Sequence, residues 1–396
     1  MKVLQRGLSI EGVQGHNRQV ILKTLHNLGT CSRKEISVES GLDQATVTRA
    51  IGALVDSEIV EEVGLVKGGR GRRSINLDFA SSGRNLLCLR LQRRSFSLAT
   101  FNLRGETNDL QEYNIPSGQS ASETFTEIAR AMEIRINRSK KIDGIGLAVP
   151  GPFLERDERV ILITESLEWQ GFDLILELRS RFVGIPFYST HDAKAAALAE
   201  WRETARIKGS SVMLYVSAGQ GIGSALVVNG DVFRGAIGLA GELGHTSISF
   251  DGPICKCGNV GCLELFASRI ALLRAIRATK AKSIGEDFNF DDIVNGYLNE
   301  DLDLTQEVNK VAGYLAQGVV NSINVLNPDL IVIGDEYARL GEKFLAEIQA
   351  HLEVKTLPSV YGAVKIELST LKEDTVLKGT FLDVFSRTYL EAKSLA

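Results

Sequence analysis

The first eighty residues carry the pattern that most constrains how this chain can fold: a series of helix start and stop signals followed by two strand-like runs. Apolar residues at helical spacing predict a first helix over 16–28. Ser32, with Glu35 three residues later, has the spacing of a capping box and predicts a second helix, which Gly41 ends. The segment therefore predicts a compact unit of short helices.

A third helix is predicted over 44–56, with Asp43 as its N-cap. Its inward side is apolar, and the outward side near its start carries short polar side chains and one arginine. Such a face suits a helix that lies in the major groove of DNA and reaches base edges and phosphates. The candidate DNA-contacting residues of the second and third helices are Ser32, Arg33, Gln44, Thr46, Thr48 and Arg49.

Two strand-like runs, 59–61 and 75–79, flank a loop of glycines and arginines over 67–73. Glycine lets a backbone approach DNA closely, and arginine favours a narrow minor groove, so this loop is predicted to be a DNA-binding wing. The helices alone do not distinguish a DNA-binding domain from a small helical domain that carries a solvated basic hairpin. Together with the wing they favour a winged helix-turn-helix that binds double-stranded DNA. The candidate contacts in the wing are Arg70, Arg72 and Arg73.

From residue 81 onward, runs with strand character alternate with helical stretches, which is typical of α/β folds. Two β-rich starts, each followed by helices, predict two α/β lobes around a cleft, with ligands at the strand ends. We therefore predict a winged helix-turn-helix over 1–80 and a two-lobed α/β domain over 81–396, joined by a short linker over 78–84. The strand-like runs cover 86–91, 96–102, 145–149, 212–216, 225–228 and 330–333, and the predicted helices cover 121–137, 193–204 and 307–326.

Composition bears on the compartment. The hydrophobic share of 44% supplies ordinary globular cores, and no run of 18 or more apolar residues is present. The first fifteen residues lack the apolar stretch of a signal peptide. The expected location is therefore the cytoplasm, without membrane contact.

Three cysteines lie within eight residues of one another, and His245 precedes them by ten positions. In a cytosolic chain such clustering favours a metal over a disulfide. Three thiolates and one imidazole suit tetrahedral Zn²⁺, and a site with four protein ligands is structural rather than catalytic. The alternative is three buried free cysteines and a core histidine. The candidate ligands are His245, Cys255, Cys257 and Cys262.

Motifs distributed along nearly the whole chain are those of a known family. They are Ser32-Arg33, Gln44-Ala45-Thr46-Val47-Thr48, Gly69-Arg70-Gly71-Arg72, Pro150-Gly151-Pro152, His191-Asp192-Ala193, Ala240-Gly241-Glu242-Leu243-Gly244-His245 and Cys255-Lys256-Cys257-Gly258-Asn259-Val260-Gly261-Cys262-Leu263-Glu264. Together they resemble the ROK family (repressors, open reading frames, kinases), specifically its repressor branch. The resemblance implies an actin-like two-lobed ATPase fold, like that of sugar kinases, behind the winged helix. It also implies a homodimer or higher homo-oligomer on a DNA operator.

The resemblance further implies a sugar site. In the family's kinases an Asn-Asp pair meets the sugar, whereas here Asp192 is kept and His191 stands in the Asn position. Fixed carboxylates suit the vicinal hydroxyls of a polyol. Asp192 as a helix N-cap, and Pro150-Gly151-Pro152 as a rigid turn rather than the floor of the cleft, are the alternatives. The expected effector-binding residues are Gly151, His191, Asp192, Glu242, His245 and Glu264.

Phosphate handling departs from the kinases of that family at three places. Arg90-Leu91-Gln92-Arg93-Arg94 stands where they have an Asp and a Gly-Gly-Thr loop, Gln220 stands where they have Thr, and Gly334-Asp335 replaces paired glycines. We therefore expect no enzymatic activity. The expected function is repression of carbohydrate genes, controlled by a sugar, a sugar phosphate or a sugar-transport protein. The alternative is an active sugar kinase fused to a DNA-binding segment.

Overall fold

The computed structural model describes residues 10–65, 75–107, 109–151, 153–154, 159–160, 169, 171–299, 302–372 and 374–391. The chain divides into two compact units that each combine segments distant in sequence. Unit 1 contains Met1–Leu147, Phe172–Tyr188 and Thr380–Ala396, and unit 2 contains Ala148–Gly171 and Ser189–Gly379.

Unit 1 includes the predicted winged helix. Its helices are α1 (Ile10–Leu28), α2 (Arg33–Ser40) and α3 (Gln44–Asp56), and its strands are β1 (Cys31–Ser32), β2 (Val60–Leu65) and β3 (Ile75–Phe79). The strands form a sheet in the order β1-β3-β2. The predicted capping box of Ser32 and Glu35 is confirmed, and Asp43 caps α3. The predicted wing over 67–73 lies outside the described residues.

The three helices of the winged helix bury their apolar sides around one core. Each fully buried leucine or isoleucine contributes about 1.5–3 kcal/mol relative to exposure in water. α1 begins at Ile10, earlier than predicted, because Gly12 and Gly15 have low helix propensity and hide the start of the helix from a sequence pattern. The side chains of this core without exposed surface are Ile21, Leu22, Leu25, Ile36, Val47, Ile51, Leu54 and Leu77.

The other part of unit 1 is built on a second sheet in the order β10-β7-β4-β5-β6. In this sheet β4 and β5 form an antiparallel hairpin. The chain passes between the two units within β7 and within β10. The elements of this stretch are, in chain order, β4 (Asn85–Leu91), β5 (Ser95–Asn102), β6 (Gln111–Asn114), α4 (Ala121–Arg138), β7 (Ile142–Val149), β8 (Phe153–Leu154), β9 (Arg159–Val160), α5 (Leu174–Arg181) and β10 (Phe187–His191), of which β8 and β9 belong to unit 2.

Unit 2 is organised around a sheet in the order β13-β12-β11-β14-β15. Short 3₁₀ segments cover Leu243–His245 and Asp335–Leu340, and π-helical turns cover Trp201–Ala205 and, in unit 1, Ser386–Leu390. The remaining elements are α6 (Asp192–Glu200), β11 (Val212–Ala218), β12 (Ile222–Val228), β13 (Asp231–Val232), α7 (Glu264–Ala267), α8 (Arg269–Lys280), α9 (Phe290–Asn299), α10 (Thr305–Leu326), β14 (Leu330–Gly334), α11 (Gly341–Lys355), α12 (Pro358–Tyr361), β15 (Lys365–Leu368) and α13 (Thr375–Phe385).

Alternate side chains of the central strand β11 join two separate cores. Leu214 and Val216 belong to the core that includes α10, whereas Met213 and Tyr215 belong to the core that includes α6. Since side chains alternate between the faces of a strand, helices cover both faces of this sheet. The α/β class is confirmed, and the strands and helices predicted after residue 81 are present with ends shifted by a few residues. Among the described helices, none is long and apolar enough to cross a membrane.

Candidate functional site

The N-terminal turn of α3 presents the predicted polar face. Asp43 Oδ1 accepts the Thr46 backbone N–H (2.9 Å), and the Thr46 hydroxyl donates to Asp43 Oδ2 (2.7 Å). These bonds lower the pKa of Asp43, so its carboxylate stays ionised at the positive end of the helix dipole. Gln44, Thr48 and Arg49 are exposed, whereas the hydroxyl of Thr46 is engaged with the cap. The exposed polar side chains of this face are therefore available to a DNA groove.

The two candidates in front of and at the start of α2 have partners within the winged helix. Ser32 is buried, and its hydroxyl accepts the Glu35 N–H (3.3 Å) while the Glu35 carboxylate accepts the Ser32 N–H (2.8 Å). Arg33 forms an ion pair with Glu62 of β2 (2.8 Å). Both side chains therefore hold α2 in place. The wing candidates Arg70, Arg72 and Arg73 lie outside the described residues.

The four predicted metal ligands lie together in unit 2. One possible ligand atom from each of His245, Cys255, Cys257 and Cys262 is within 4.8 Å of all the others. Cys255 Sγ is 3.7 Å from His245 Nδ1, and Cys257 Sγ is 3.6 Å from Cys262 Sγ. Burial, reinforced by the hydrogen bonds that the Cys262 thiol donates to the neighbouring sulfurs, raises the pKa of Cys262 to about 12. A cation would offset the cost of a buried thiolate there, so this donor set could hold a metal.

A tight hairpin makes the three sulfurs converge. Ile254 and Val260 face each other in an antiparallel bridge, and the Cys255 N–H donates to the Asn259 carbonyl (2.7 Å). Gly261 has φ 69, and a Cβ there would stand 1.7 Å from the Ser249 carbonyl oxygen. Glycine is therefore required at this close approach.

The predicted pair His191 and Asp192 sits where β10 passes into α6. His191 Nε2 is 3.3 Å from Asp192 Oδ1, and His191 is buried while Asp192 is half-buried. The helix starts at Asp192 itself, so His191 occupies the N-cap position and makes no capping bond with its side chain. The Asp192 carboxylate nevertheless accepts the Ala193 N–H (2.6 Å). Asp192 is thus the first residue of the helix and accepts a hydrogen bond from the next backbone N–H. The alternative that Asp192 is the N-cap is wrong.

The other predicted effector residues lie on segments that contact the first residues of β12. Glu264 Oε2 accepts the Ile222 N–H (3.0 Å), and the Ser224 N–H donates to the Gly241 carbonyl (3.1 Å). A Cβ at Gly244 would stand 2.0 Å from the Ile222 carbonyl oxygen, so the loop that carries Glu242 and His245 packs directly on β12. The start of β12 therefore positions carboxylates and an imidazole in unit 2. Gly151, with φ 81, is half-buried in the same unit, and Pro152 lies outside the described residues.

A cavity of about 190 Å³ adjoins His245 and Glu264. Its lining includes Gln220, Lys256 and Arg274, of which only Gln220 was singled out from the sequence. No sequence signal marks Lys256 or Arg274, because a lysine between two cysteines and an arginine on a helix are ordinary surface residues. The lining of the cavity thus combines two cationic side chains with the carboxylate of Glu264.

Three segments depart from the phosphate loops of the family's kinases. In this structure one forms a hairpin turn, and the other two bring carboxylates close to a glycine. Gln92 closes the β4–β5 hairpin by donating its N–H to the Ser95 carbonyl (2.9 Å). A Cβ at Gly219 would lie 3.0 Å from both Asp335 Oδ2 and Glu336 Oε2. Asp335 has φ 65, a left-handed conformation, and accepts the Ser217 hydroxyl (3.1 Å). Carboxylates therefore lie beside this glycine turn.

Comparison with known sequences matches two families to this chain. The ROK family pattern matches residues 86–382, and the MarR family pattern matches residues 16–62. A protein of Caldicellulosiruptor sp. (strain Rt8B.4) provisionally named xylose repressor is 32% identical over 93% of this chain and 95% of its own length. The xylose repressor of Caldicellulosiruptor bescii is 29% identical with the same coverage. A glucokinase of Halalkalibacterium halodurans is 30% identical over 72% of this chain and 90% of its own length.

Among solved structures, a ROK family transcriptional regulator described as a homologue of the E. coli MLC protein superimposes with a TM-score of 0.80 and 23% identity. The match covers 96% of this chain and 99% of the other. It shows the same fold across the winged helix and the two-lobed part. The chain therefore belongs to the ROK family and joins a MarR-type DNA-binding winged helix to an actin-like sugar-kinase fold, which is the arrangement of that family's transcriptional repressors.

Proposed function

We propose that this protein is a homodimeric repressor of carbohydrate genes whose operator binding is controlled by a sugar or sugar phosphate held in unit 2. The observation that carries the proposal is the exposed polar face of α3 in a chain whose remaining part is a ROK domain. In a two-fold dimer, two recognition helices meet half-sites about one turn of DNA apart. Arg70, Arg72 and Arg73 of the wing would add phosphate and minor-groove contacts. The site of action is the cytoplasm, because the operator lies there.

The proposed effector is xylose or a derivative of it. Two relatives that cover nearly the whole chain carry the name xylose repressor. The carboxylates of Asp192, Glu242 and Glu264 offer acceptors for vicinal hydroxyls, with His191, His245 and Gly151 completing the proposed site. Lys256 and Arg274, at the neighbouring cavity, would favour a phosphorylated sugar. A sugar-transport protein is the alternative effector.

Xylose at one hundred times its Kd should raise the melting temperature of the wild-type protein. A ligand that binds only the folded state stabilises it by about 2.7 kcal/mol at that concentration. Differential scanning fluorimetry with xylose, glucose and their phosphates in parallel measures this effect. Glu242→Ala should remove the shift, because it deletes one proposed acceptor. A panel in which no sugar shifts the wild-type protein would contradict a small-molecule effector and favour the transport protein.

We propose Zn²⁺ as the ion held by His245, Cys255, Cys257 and Cys262. Soft thiolates and an imidazole suit this ion, and four protein ligands leave no position for a substrate. The Cys262 Sγ and the Asn259 side chain both contact the His245 carbonyl, at 3.5 and 3.0 Å. The ion would therefore hold the loop in which His245 lies close to Glu264. Its role is structural: it keeps the proposed effector residues in place.

The proposed loss of ATP chemistry is supported by the acidic surroundings of Gly219. The carboxylates of Asp335 and Glu336 lie beside that turn, and although Glu336 is paired with Arg269, the negative charge of Asp335 would oppose a phosphate there. The hairpin turn at Gln92 also lacks the glycines that would let phosphate meet backbone N–H groups.

We expect no sugar-stimulated ATP turnover with xylose or glucose in a coupled assay run at high protein concentration. A sugar kinase assayed in parallel serves as the positive control. Asp192→Asn distinguishes intrinsic from contaminating activity, since the matching aspartate takes the hydroxyl proton in the kinases of this family. Steady turnover that Asp192→Asn abolishes would overturn the prediction and support an active kinase fused to a DNA-binding segment.

A further inference from the structure

Hydrogen bonds anchor both ends of the linker between the winged helix and the rest of unit 1. The Ala80 N–H donates to the Ile59 carbonyl (3.0 Å), and the Asn85 N–H donates to the Lys141 carbonyl (2.9 Å). The residues between them therefore start and end on defined structure. The winged helix is docked on the rest of unit 1 rather than held by a flexible tether.

Arg84, near the end of this linker, contacts both sides of the junction. Its Nε donates to the carbonyl of Ser57, the residue that follows α3 (2.6 Å), and its Nη1 donates to Asp143 Oδ2 (2.8 Å). The planar guanidinium presents its donors in a fixed fork, which lets one side chain hold two acceptors at a set angle. The Arg84 side chain is 17% exposed and that of Asp143 is 8% exposed, so water screens the pair weakly. The end of the recognition helix is thereby tied to the second residue of β7.

Two further side chains, besides Arg84, contact the Asp143 carboxylate. The Tyr389 hydroxyl donates to Asp143 Oδ2, and Lys141 Nζ is 3.3 Å from Asp143 Oδ1. Burial, together with the negative charge of Asp143, raises the pKa of Tyr389, so the phenol stays protonated and remains a donor. Tyr389 belongs to the π-helical turn that follows α13. Asp143 therefore joins α3, through Arg84, to β7 and to the C-terminal helical segment.

A second contact follows Ser57 directly. Glu58 adopts φ 57, a left-handed conformation that favours glycine, and both of its carboxylate oxygens contact Lys140 Nζ (2.6 and 2.8 Å). Two consecutive residues after α3 are thus linked to the stretch 140–143, Glu58 directly and Ser57 through Arg84. The contacts of Ser57 and Glu58 together hold the end of α3 in one orientation.

Aromatic rings close the other side of the junction. The Phe385 ring lies 5.3 Å from the His26 ring of α1 and 4.8 Å from the Phe79 ring of β3, measured between centroids. Phe385 ends α13, four residues before Tyr389. The winged helix is therefore packed against the C-terminal segment as well as hydrogen-bonded to it.

We propose that Arg84 is a positioning residue for operator binding: it fixes the orientation of α3 against β7 and the C-terminal segment, and so sets the half-site spacing that the dimer accepts. The inference rests on the proposed operator binding. β7 continues from the Asp143 contact to Val149, two residues before Gly151, which is one of the proposed effector residues. A shift at that end of the strand therefore has a short path to the recognition helix, along β7 to Asp143 and through the hydrogen bonds of Arg84 to Ser57.

The test compares two duplexes. One is a fluorescein-labelled duplex selected by the wild-type protein from random-sequence DNA, and the other carries two extra base pairs between its half-sites. Arg84→Lys keeps the charge but loses the fork, and it should reduce the preference for the natural spacing by roughly tenfold. Its affinity for a duplex with a single half-site should stay within about twofold of wild type, because the contacts of α3 with DNA are unchanged.

Arg135→Lys is the matched control. Arg135 is a buried arginine of unit 1, and it lies 3.5 Å from Asp109, away from the winged helix. This variant should keep the wild-type spacing preference. Asp143→Asn, which keeps the side-chain shape, replaces Arg84→Lys if that variant does not fold. An unchanged spacing preference in the folded variant overturns the inference. A wild-type protein that selects no duplex overturns the proposed function instead.

Discussion

Cys257→Ser should cost the protein its bound zinc and destabilise unit 2 by about 3 kcal/mol or more, because the apparent binding energy of structural zinc is about 10–16 kcal/mol. Cys257 is exposed, unlike Cys255 and Cys262. An exposed substitution without a special role ordinarily changes the free energy of unfolding by less than about 0.5 kcal/mol. A large loss at this position therefore reports a metal ligand rather than a packing defect.

Inductively coupled plasma mass spectrometry should find about one zinc per wild-type chain and much less in Cys257→Ser. Guanidinium unfolding gives the stability of both proteins. Lys256→Ser is the matched control, since it changes an exposed neighbour on the same hairpin, and it should keep both the metal and the stability. Native protein that is free of metal and fully stable would contradict the zinc site.

The double variant Thr48→Ala, Arg49→Ala should weaken operator binding by about 10- to 100-fold, which corresponds to the 1–3 kcal/mol of one good base contact. Both side chains are exposed on α3, and alanine is favourable within a helix, so the fold should be unaffected. If Arg49 meets a phosphate, the slope of log affinity against log salt should also fall by about one unit. Fluorescence anisotropy at several salt concentrations measures both quantities.

Arg130→Ala supplies the control for this experiment. Arg130 is an exposed arginine on α4 of the same unit, so it has the same charge and helical setting as Arg49. Its replacement should leave affinity and salt slope unchanged. Equal binding by the α3 variant and the wild-type protein would mean that this face is a solvated surface.

Local signals predicted the elements of the winged helix well. Ser32 with Glu35, and Asp43 in front of an apolar stripe, mark helix starts that depend only on neighbouring residues, and the structure contains both caps. The cluster of candidate metal ligands was predictable for a similar reason: its sulfurs lie close together in sequence, on and beside one short hairpin. Strands such as β11 were predictable because they are apolar and buried on both faces.

Features that depend on distant segments could not be predicted in this way. β10 carries the polar residues Ser189 and Thr190 in a buried position, so its sequence lacks a strand pattern. The role of Arg84 depends on Asp143 and Tyr389, which are far away in sequence. Nothing local to Asp335 shows that its backbone adopts a left-handed conformation beside Gly219. Such contacts follow from the tertiary fold alone.

The most direct test of this account is operator affinity, measured by fluorescence anisotropy with and without xylose, for the wild-type protein and for Glu242→Ala. A full switch between bound and free states needs a difference in effector affinity of about 5.5 kcal/mol between the two arrangements, and a partial one still changes operator affinity severalfold. We expect xylose to change the operator affinity of the wild-type protein by at least about tenfold, which corresponds to 1.4 kcal/mol of coupling. Glu242→Ala should bind the operator as the wild type does and ignore xylose. An equal response to xylose in both proteins, or a wild-type affinity that xylose leaves unchanged, would contradict the account.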